Sequence, residues 1–271
     1  MSKIWKRIVT FIMVVVVFGV STVSVSASDY SDLILSVLDD LETKNSSCNS
    51  AAQQLVNGTY RCVDLLYLIT KIGDNSGIYS SLSDSVYDDF SAKDKSANGA
   101  PHQAVNGFYR IFELTYIWAN ELDPLGSNSD AIEDIYSRYQ SGNAAQETAY
   151  QQQVVGSYRT VEMLGLIAVE LDPKGTYSIL VDAVLDDMTS IDKNCNGAPQ
   201  QIANGTYRIV DMLYVIAKEL DTSGHYKELI DGILADRDTN NSQMDGAAQQ
   251  QANGMYRSTE LLATIALMLD N

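Results

Sequence analysis

The sequence predicts an all-α protein: five tandem helical hairpins of 49 residues, stacked either as an open α-solenoid or as a closed α/α toroid. Two observations predict this fold. A motif ending in Tyr-Arg occurs five times, and its arginines lie 49 residues apart without slippage. A fixed period of this size is the signature of a repeat architecture. Within each copy, apolar residues recur every three or four positions, which indicates helices with one apolar face.

The motif is Asn-Gly-x-Tyr-Arg in four copies and begins with Val155 in the third. The five copies are 57–61, 106–110, 155–159, 204–208 and 253–257. Its glycine costs roughly 1 kcal/mol against alanine inside a helix. Its recurrence at every copy therefore predicts that another backbone comes close there, or that the helix bends.

Each unit is predicted to contain a helix A and a longer helix B. Cutting after a recurring aspartate gives units at about 28–74, 75–123, 124–172, 173–221 and 222–271. In the fourth unit helix A covers about 177–189 and helix B about 197–220. Asn49, Asn98, Asn196 and Asp245 stand where N-caps of the B helices are expected. A lone hairpin cannot bury its apolar faces, so the five units are predicted to share one continuous core.

Residues 1–27 read as a secretory signal peptide. A basic start is followed by an apolar run over 8–20, and the small residues of Val25-Ser26-Ala27 suit a signal peptidase. The expectation is a secreted, extracellular protein whose residues 28–271 form a single helical-repeat domain.

The chain is strongly acidic, with a formal net charge of −17. Removing the predicted signal, which holds three basic residues and no acid, brings the net charge to −20. Such a chain is repelled by nucleic acid and by anionic membrane surfaces, so neither is expected as a partner.

Cysteine and histidine usage predicts no disulfide scaffold, no metal and no cofactor. Cys48, Cys62 and Cys195 are too few for a disulfide framework, and the two histidines lack metal-ligand spacing. The stretch 192–197 fits the opening of a calcium loop, but Ala203 stands where that loop needs a glutamate.

Placing helix B at about 100° per residue separates a core side from a polar arc. The arc carries Asn57, Arg61 and Asp64 in the first unit, with Tyr60 at its edge. An acid follows each motif arginine by three residues: Asp64, Glu113, Glu162, Asp211 and Glu260. Two interpretations follow. In the first, the arginine of one unit bridges to a glutamine, asparagine or acid of the next unit, and tyrosine covers the junction.

In the second interpretation, the aligned tyrosines and arginines form a binding surface. The candidate binding residues are Tyr60, Arg61, Tyr109, Arg110, Tyr158, Arg159, Tyr207, Arg208, Tyr256 and Arg257. Tyrosine and arginine are favoured contact residues at interfaces. The third unit is atypical, since Val155 replaces asparagine and Arg138 replaces an acid of helix A. It is the first candidate for a ligand-specific unit.

No motif specifies a reaction, and no catalytic residue is predicted. The function we expect is that of a secreted, non-enzymatic binding protein for a protein or glycan partner. Helical repeats on exported bacterial proteins often bind host proteins such as immunoglobulins, an analogy at the level of class. The alternatives are an extracellular glycan-active enzyme of the α/α toroid type, with carboxylates in a central cleft, and a self-assembling surface component.

Overall fold

The structure, a computed structural model, describes residues 30–74, 76–94, 99–190, 197–241 and 246–270. Within these ranges the chain forms ten helices and no strand, which confirms the all-α prediction. The predicted signal peptide at 1–27 and the calcium-like stretch at 192–196 lie outside the described residues.

Short and long helices alternate along the chain. The short helices are α1 (Ser31–Ser47), α3 (Ser80–Asp94), α5 (Ser129–Ala144), α7 (Ser178–Ser190) and α9 (Lys227–Asn241). The long helices are α2 (Ala51–Gly73), α4 (Ala100–Leu122), α6 (Ala149–Leu171), α8 (Ala198–Leu220) and α10 (Ala247–Leu269). All five long helices have 23 residues, as expected of one repeated unit.

The starts of the long helices differ from the predicted caps by one residue. Ser50 and Thr148 cap α2 and α6, because each hydroxyl accepts a hydrogen bond from the backbone N–H three residues later. Gly99 and Gly197 precede α4 and α8 at φ of +91° and +99°, a backbone conformation that suits glycine. Asn49 is therefore not the cap. The other three predicted caps, Asn98, Asn196 and Asp245, lie outside the described residues.

The long helices pack side by side in chain order: α2 on α4, α4 on α6, α6 on α8 and α8 on α10. Helix α10 also packs against α2. Each short helix packs on the long helix of its own unit and on the long helix of the preceding unit. Helix α1 has no preceding unit and packs on α10 instead.

The motif glycines lie where neighbouring long helices touch. A Cβ added to Gly107 would stand 2.3 Å from Thr59 Cγ2, and one added to Gly205 would stand 2.3 Å from Ser157 Oγ. Real Cβ atoms do not approach heavy atoms this closely. A Cβ on Gly58 would likewise stand 3.0 Å from Met255 Cβ. At Gly58 the backbone of the neighbouring helix is itself close, since the added Cβ would stand 3.3 Å from the carbonyl carbon of Met255. At Gly107 and Gly205 the nearest atoms belong to side chains of the neighbouring helix.

Side chains fill the space shared by the five long helices. A narrow cavity of about 10 Å³ remains there, too small to hold more than about one water molecule. Its lining is Cys62, Leu66, Ile111, Thr115, Thr160, Leu164, Ile209, Leu213, Met255, Ser258 and Leu262. These described residues include no carboxylate.

Two of the three cysteines fall in the described ranges, and both are free thiols. Cys62 is buried, whereas Cys48 is half-buried. The Cys62 sulfur lies 3.3 Å from Thr259 Oγ1, and burial raises the pKa of the thiol to about 12. Cys195 is outside the described residues. Among the described helices, none combines the length and the apolar character that crossing a membrane requires.

Candidate functional site

None of the ten candidate binding residues is fully exposed. The five tyrosines are half-buried. Arg110 and Arg257 are only 6% and 8% exposed, and the other three arginines are partly buried. These side chains lie between helices, so the structure does not present them together on an open face.

Each motif arginine pairs with acids of its own unit. Arg61 Nη1 lies 3.0 Å from Asp64 Oδ2 on the same helix and 2.9 Å from Asp40 Oδ2 on α1. Arg208 repeats this with Asp211 and Asp187, at 3.2 Å each. These ion pairs lie within one unit, whereas the first interpretation expects arginine to bridge to the next unit. The motif arginine instead joins the two helices of one hairpin, because the short helix places its own acid within reach.

The acid three residues after the motif arginine is the common partner of every arginine after residue 27. Five of these seven arginines are in the motif. The remaining two, Arg138 and Arg237, pair with Glu162 and Asp211 respectively. Arg138 belongs to the same unit as Glu162. Arg237 reaches Asp211 from the short helix of the following unit.

The other motif polar residues also have structural partners. Asn57 Nδ2 donates to the backbone oxygen of Leu41 at 3.1 Å, which ties α2 to the end of α1. Val155, at the same position in the third unit, has no side-chain amide to repeat this bond. Glutamines just before the motif also join units: Gln153 Nε2 donates to Pro101 O at 3.1 Å.

Tyrosines cover two of the junctions between units, as the first interpretation predicts. The Tyr60 ring meets Phe90 of the next unit edge-on, with centroids 5.0 Å apart. Tyr109 meets Tyr139 in the same way at 5.3 Å. Both partners lie on the short helix of the following unit.

Sequence reasoning missed a second tyrosine that joins adjacent units. Tyr67 on α2 donates its hydroxyl to Asp84 on α3 at 2.7 Å, and Tyr214 on α8 donates to Asp231 on α9 at 2.9 Å. Tyr116 and Glu133 form the same pair between α4 and α5. In each case the tyrosine and the acid are 17 residues apart, a spacing that could have been noticed within the repeat.

One junction between units holds an accessible cavity. We call groove 1 the space over α2 between α1 and α3, a cavity of about 630 Å³. Its lining is Leu33, Ser36, Val37, Tyr60, Arg61, Asp64, Tyr67, Leu68, Tyr87, Phe90, Ser91 and Gln103. The volume lies within the range of typical ligand sites. The sequence favours the third unit as the ligand-specific one, whereas this cavity lies between the first and second units.

Four aromatic rings form much of the wall of groove 1. Tyr67 and Tyr87 stack with centroids 4.4 Å apart, and Tyr87 also packs against Phe90 at 5.9 Å. Tyr60 completes the set through its edge-on contact with Phe90. The wall is therefore mainly apolar, a property typical of binding pockets.

Carboxylates stand behind the aromatic rings. The Tyr87 hydroxyl donates to Asp64 Oδ1 at 2.9 Å, and burial raises the pKa of Asp64 despite the nearby Arg61. On the rim, hydrogen bonds from Tyr67 and Lys71 lower the pKa of Asp84. The Lys44 ammonium lowers the pKa of Asp40. Groove 1 thus combines aromatic faces with ionised acids on its rim.

The described residues hold no group of three or more His, Cys, Asp or Glu side chains able to bind a metal ion. A comparison with protein-family models finds no match, and neither curated proteins nor solved structures resemble the chain closely enough to match.

Proposed function

We propose that the five hairpins close into an α/α toroid, and that this ring is the scaffold of a secreted, non-enzymatic protein that binds other macromolecules through groove 1. Host proteins such as immunoglobulins are the partner class suggested by analogy. The single observation that carries the binding proposal is the 630 Å³ cavity with four aromatic rings in its wall.

Contacts between the first and fifth units support the ring. The Thr259 hydroxyl donates to the backbone oxygen of Gly58 at 3.2 Å, and α1 packs against α10. In an open array these two units would be the most distant pair, so no such contacts would form.

The toroidal glycan-active enzyme gains no comparable support. That alternative needs carboxylates in a central cleft, with a spacing of roughly 5–10 Å between two of them. The described side chains at the centre are instead apolar, hydroxyl or thiol groups around a cavity of about 10 Å³. Binding at groove 1 requires neither a central cleft nor a pair of carboxylates.

Blocking groove 1 tests the proposed function. Ser36 is exposed and lines the groove, so Ser36→Trp would fill the cavity without disturbing the core. Mature protein on a resin is incubated with serum or mucus, and the retained proteins are identified and quantified. We expect wild-type protein to retain specific partners and Ser36→Trp to lose them.

Ala183 provides the matched control, because it is also exposed and lies three periods after Ser36. Ala183→Trp should retain the same partners as wild type, and both variants should match wild type in circular dichroism and Tm. Equal retention by both variants would reject groove 1 as the binding site.

A further inference from the structure

We propose that groove 1 binds an arginine side chain presented by a basic segment of a partner protein. This inference rests on the proposed function and specifies the chemistry of the partner. It is drawn from two other units, in which the acid of the motif arginine also binds a second arginine from a short helix.

The fourth unit supplies the first precedent. Arg237, from the short helix of the following unit, pairs with Asp211 and donates to the backbone oxygen of Tyr207 at 3.4 Å. Its guanidinium carbon lies 5.7 Å from the centroid of the Tyr207 ring. Tyr207 and Asp211 are the repeat equivalents of Tyr60 and Asp64 in groove 1. The tyrosine and acid of one repeat therefore bind a guanidinium from another element.

The third unit supplies the second precedent. Arg138 donates to Glu162, which also binds the motif arginine Arg159. A carboxylate offers about four lone-pair sites, so it can accept a second guanidinium beside its motif arginine. Asp211 does the same with Arg208 and Arg237.

In groove 1 no second arginine from the described residues reaches Asp64. Phe90 stands at the repeat position of Arg237 and is 7% exposed, which leaves Asp64 with Arg61 and the Tyr87 hydroxyl. The cavity beside the rings is open, although Tyr67 and Tyr87 stack on each other and the Lys71 ammonium lies 5.9 Å from the Tyr67 ring centroid. A guanidinium is planar and stacks well on aromatic faces, which a compact ammonium does less well.

Charge and shape favour the same occupant. The rim acids Asp40 and Asp84 pair with Lys44 and Lys71, yet their side chains remain 44% and 50% exposed. The whole chain carries a net charge of −17. Leu33 is 51% exposed at the edge of the groove. The aliphatic stem of an arginine can cover such apolar surface while its charged end meets the rings and acids.

The test uses short fluorescein-labelled peptides in which arginines are spaced by Gly-Ser, with citrulline and lysine versions as comparisons. Citrulline keeps the shape of arginine but lacks its charge, whereas lysine keeps the charge but lacks the planar group. Binding to residues 28–271 is followed by fluorescence anisotropy at low and moderate salt. We expect the arginine peptide to bind at least about tenfold more tightly than either comparison, a difference of about 1.4 kcal/mol.

Variants locate the binding. Ser36→Trp should weaken the arginine peptide by about tenfold, which again corresponds to about 1.4 kcal/mol, and Ala183→Trp should leave it unchanged. Phe90→Arg should also weaken it, because the new side chain would occupy the groove as Arg237 does in the fourth unit. Circular dichroism confirms that each variant is folded.

Several results would overturn the inference. If the lysine peptide binds as tightly as the arginine peptide, the binding is general charge attraction. If the citrulline peptide binds as tightly as the arginine peptide, charge has no role. Equal loss or retention in both tryptophan variants would place the peptide elsewhere. A neutral oligosaccharide that binds wild type but not Ser36→Trp, with no binding of the arginine peptide, would make the groove a glycan site. If Ser36→Trp abolishes serum capture while the arginine peptide fails to bind, the proposed function stands and this inference falls.

Discussion

The Ser31 hydroxyl donates a hydrogen bond to Asp270 Oδ2 at 3.0 Å, although the two residues are 239 positions apart in the chain. The Ser80 hydroxyl donates to Asp74 Oδ2 at 2.9 Å in the same way. Ser31 and Ser80 are equivalent in the repeat, as are Asp270 and Asp74. The fifth unit therefore meets the first through the same contact that joins the first to the second.

This relationship predicts that the order of units can be permuted. A circular permutant that joins residue 270 to residue 30 through a short Gly-Ser linker, with new ends between Pro173 and Lys174, should fold as one unit. The new ends fall in an exposed turn. We expect a single cooperative thermal transition with a Tm within about 4 °C of wild type, equivalent to about 1–2 kcal/mol. Calorimetry measures both properties.

A permutant opened instead in the middle of α6 serves as the control and should fail to fold cooperatively. If the permutant opened at the turn also loses cooperativity or shows separate transitions, the closed ring is wrong and the array is open.

The motif glycines make a second prediction. Gly205→Ala should destabilise the protein by about 1–3 kcal/mol, because the new Cβ would stand 2.3 Å from Ser157 Oγ and 2.8 Å from Ser157 Cβ. Gly165 is the control, since its nearest neighbour would be Met212 Cε at 3.4 Å, an ordinary contact. Gly165→Ala should be neutral or stabilise by up to about 1 kcal/mol through helix propensity. Urea denaturation compares the two, and equal effects would mean that the motif glycine is not a contact residue.

The period and helical spacing predicted the helices well. Helix B of the fourth unit was expected at about 197–220 and is Ala198–Leu220. The acid one turn after each arginine was also predictable, because both residues lie on the same helix. These features depend only on spacing along the chain.

Features that depend on how helices dock were not predictable in the same way. The approach of Asp40 to Arg61 requires the geometry of the hairpin, and the bond from Tyr67 to Asp84 requires the register between two units. Groove 1 depends on unit-specific residues such as Phe90, where the fifth unit has Arg237. A repeat pattern averages over such differences and conceals them.

A third prediction concerns the buried ion pair of Arg257 and Glu260, whose side chains are only 9% and 2% exposed. The Arg257 Nη1 atom lies 2.6 Å from Glu260 Oε2. Arg257→Met at pH 8 should cost about 3–5 kcal/mol, because it leaves Glu260 without its ion-pair partner in the interior. The Arg257→Met/Glu260→Leu double variant should recover most of this loss. Arg138→Met is the control, since Arg138 is 43% exposed, and it should cost about 1 kcal/mol or less. Chemical denaturation measures all three, and a small effect of Arg257→Met would show that the pair contributes little.

The last prediction follows from Glu121 and Glu219, which lie near the ends of α4 and α8. Burial, assisted by the charges of Asp74 and Asp172 respectively, raises the pKa of each glutamate to about 8. Among the described residues, neither carboxylate has a hydrogen-bond partner. The ordinary pKa of an unfolded glutamate is about 4.3.

The folded state therefore binds more protons than the unfolded state between about pH 4.3 and pH 8, so this contribution to stability is present at low pH and is lost as pH rises through that window. Glu121→Gln and Glu219→Gln remove the charge and should raise the Tm at pH 9 relative to wild type, with little change at pH 4. Glu170→Gln is the control, because Glu170 accepts a hydrogen bond from Asn128 Nδ2 at 2.7 Å and should gain nothing at pH 9. Thermal melts across this pH range provide the measurement. If the Tm difference between variant and wild type does not change with pH, titration of these two groups is not its cause.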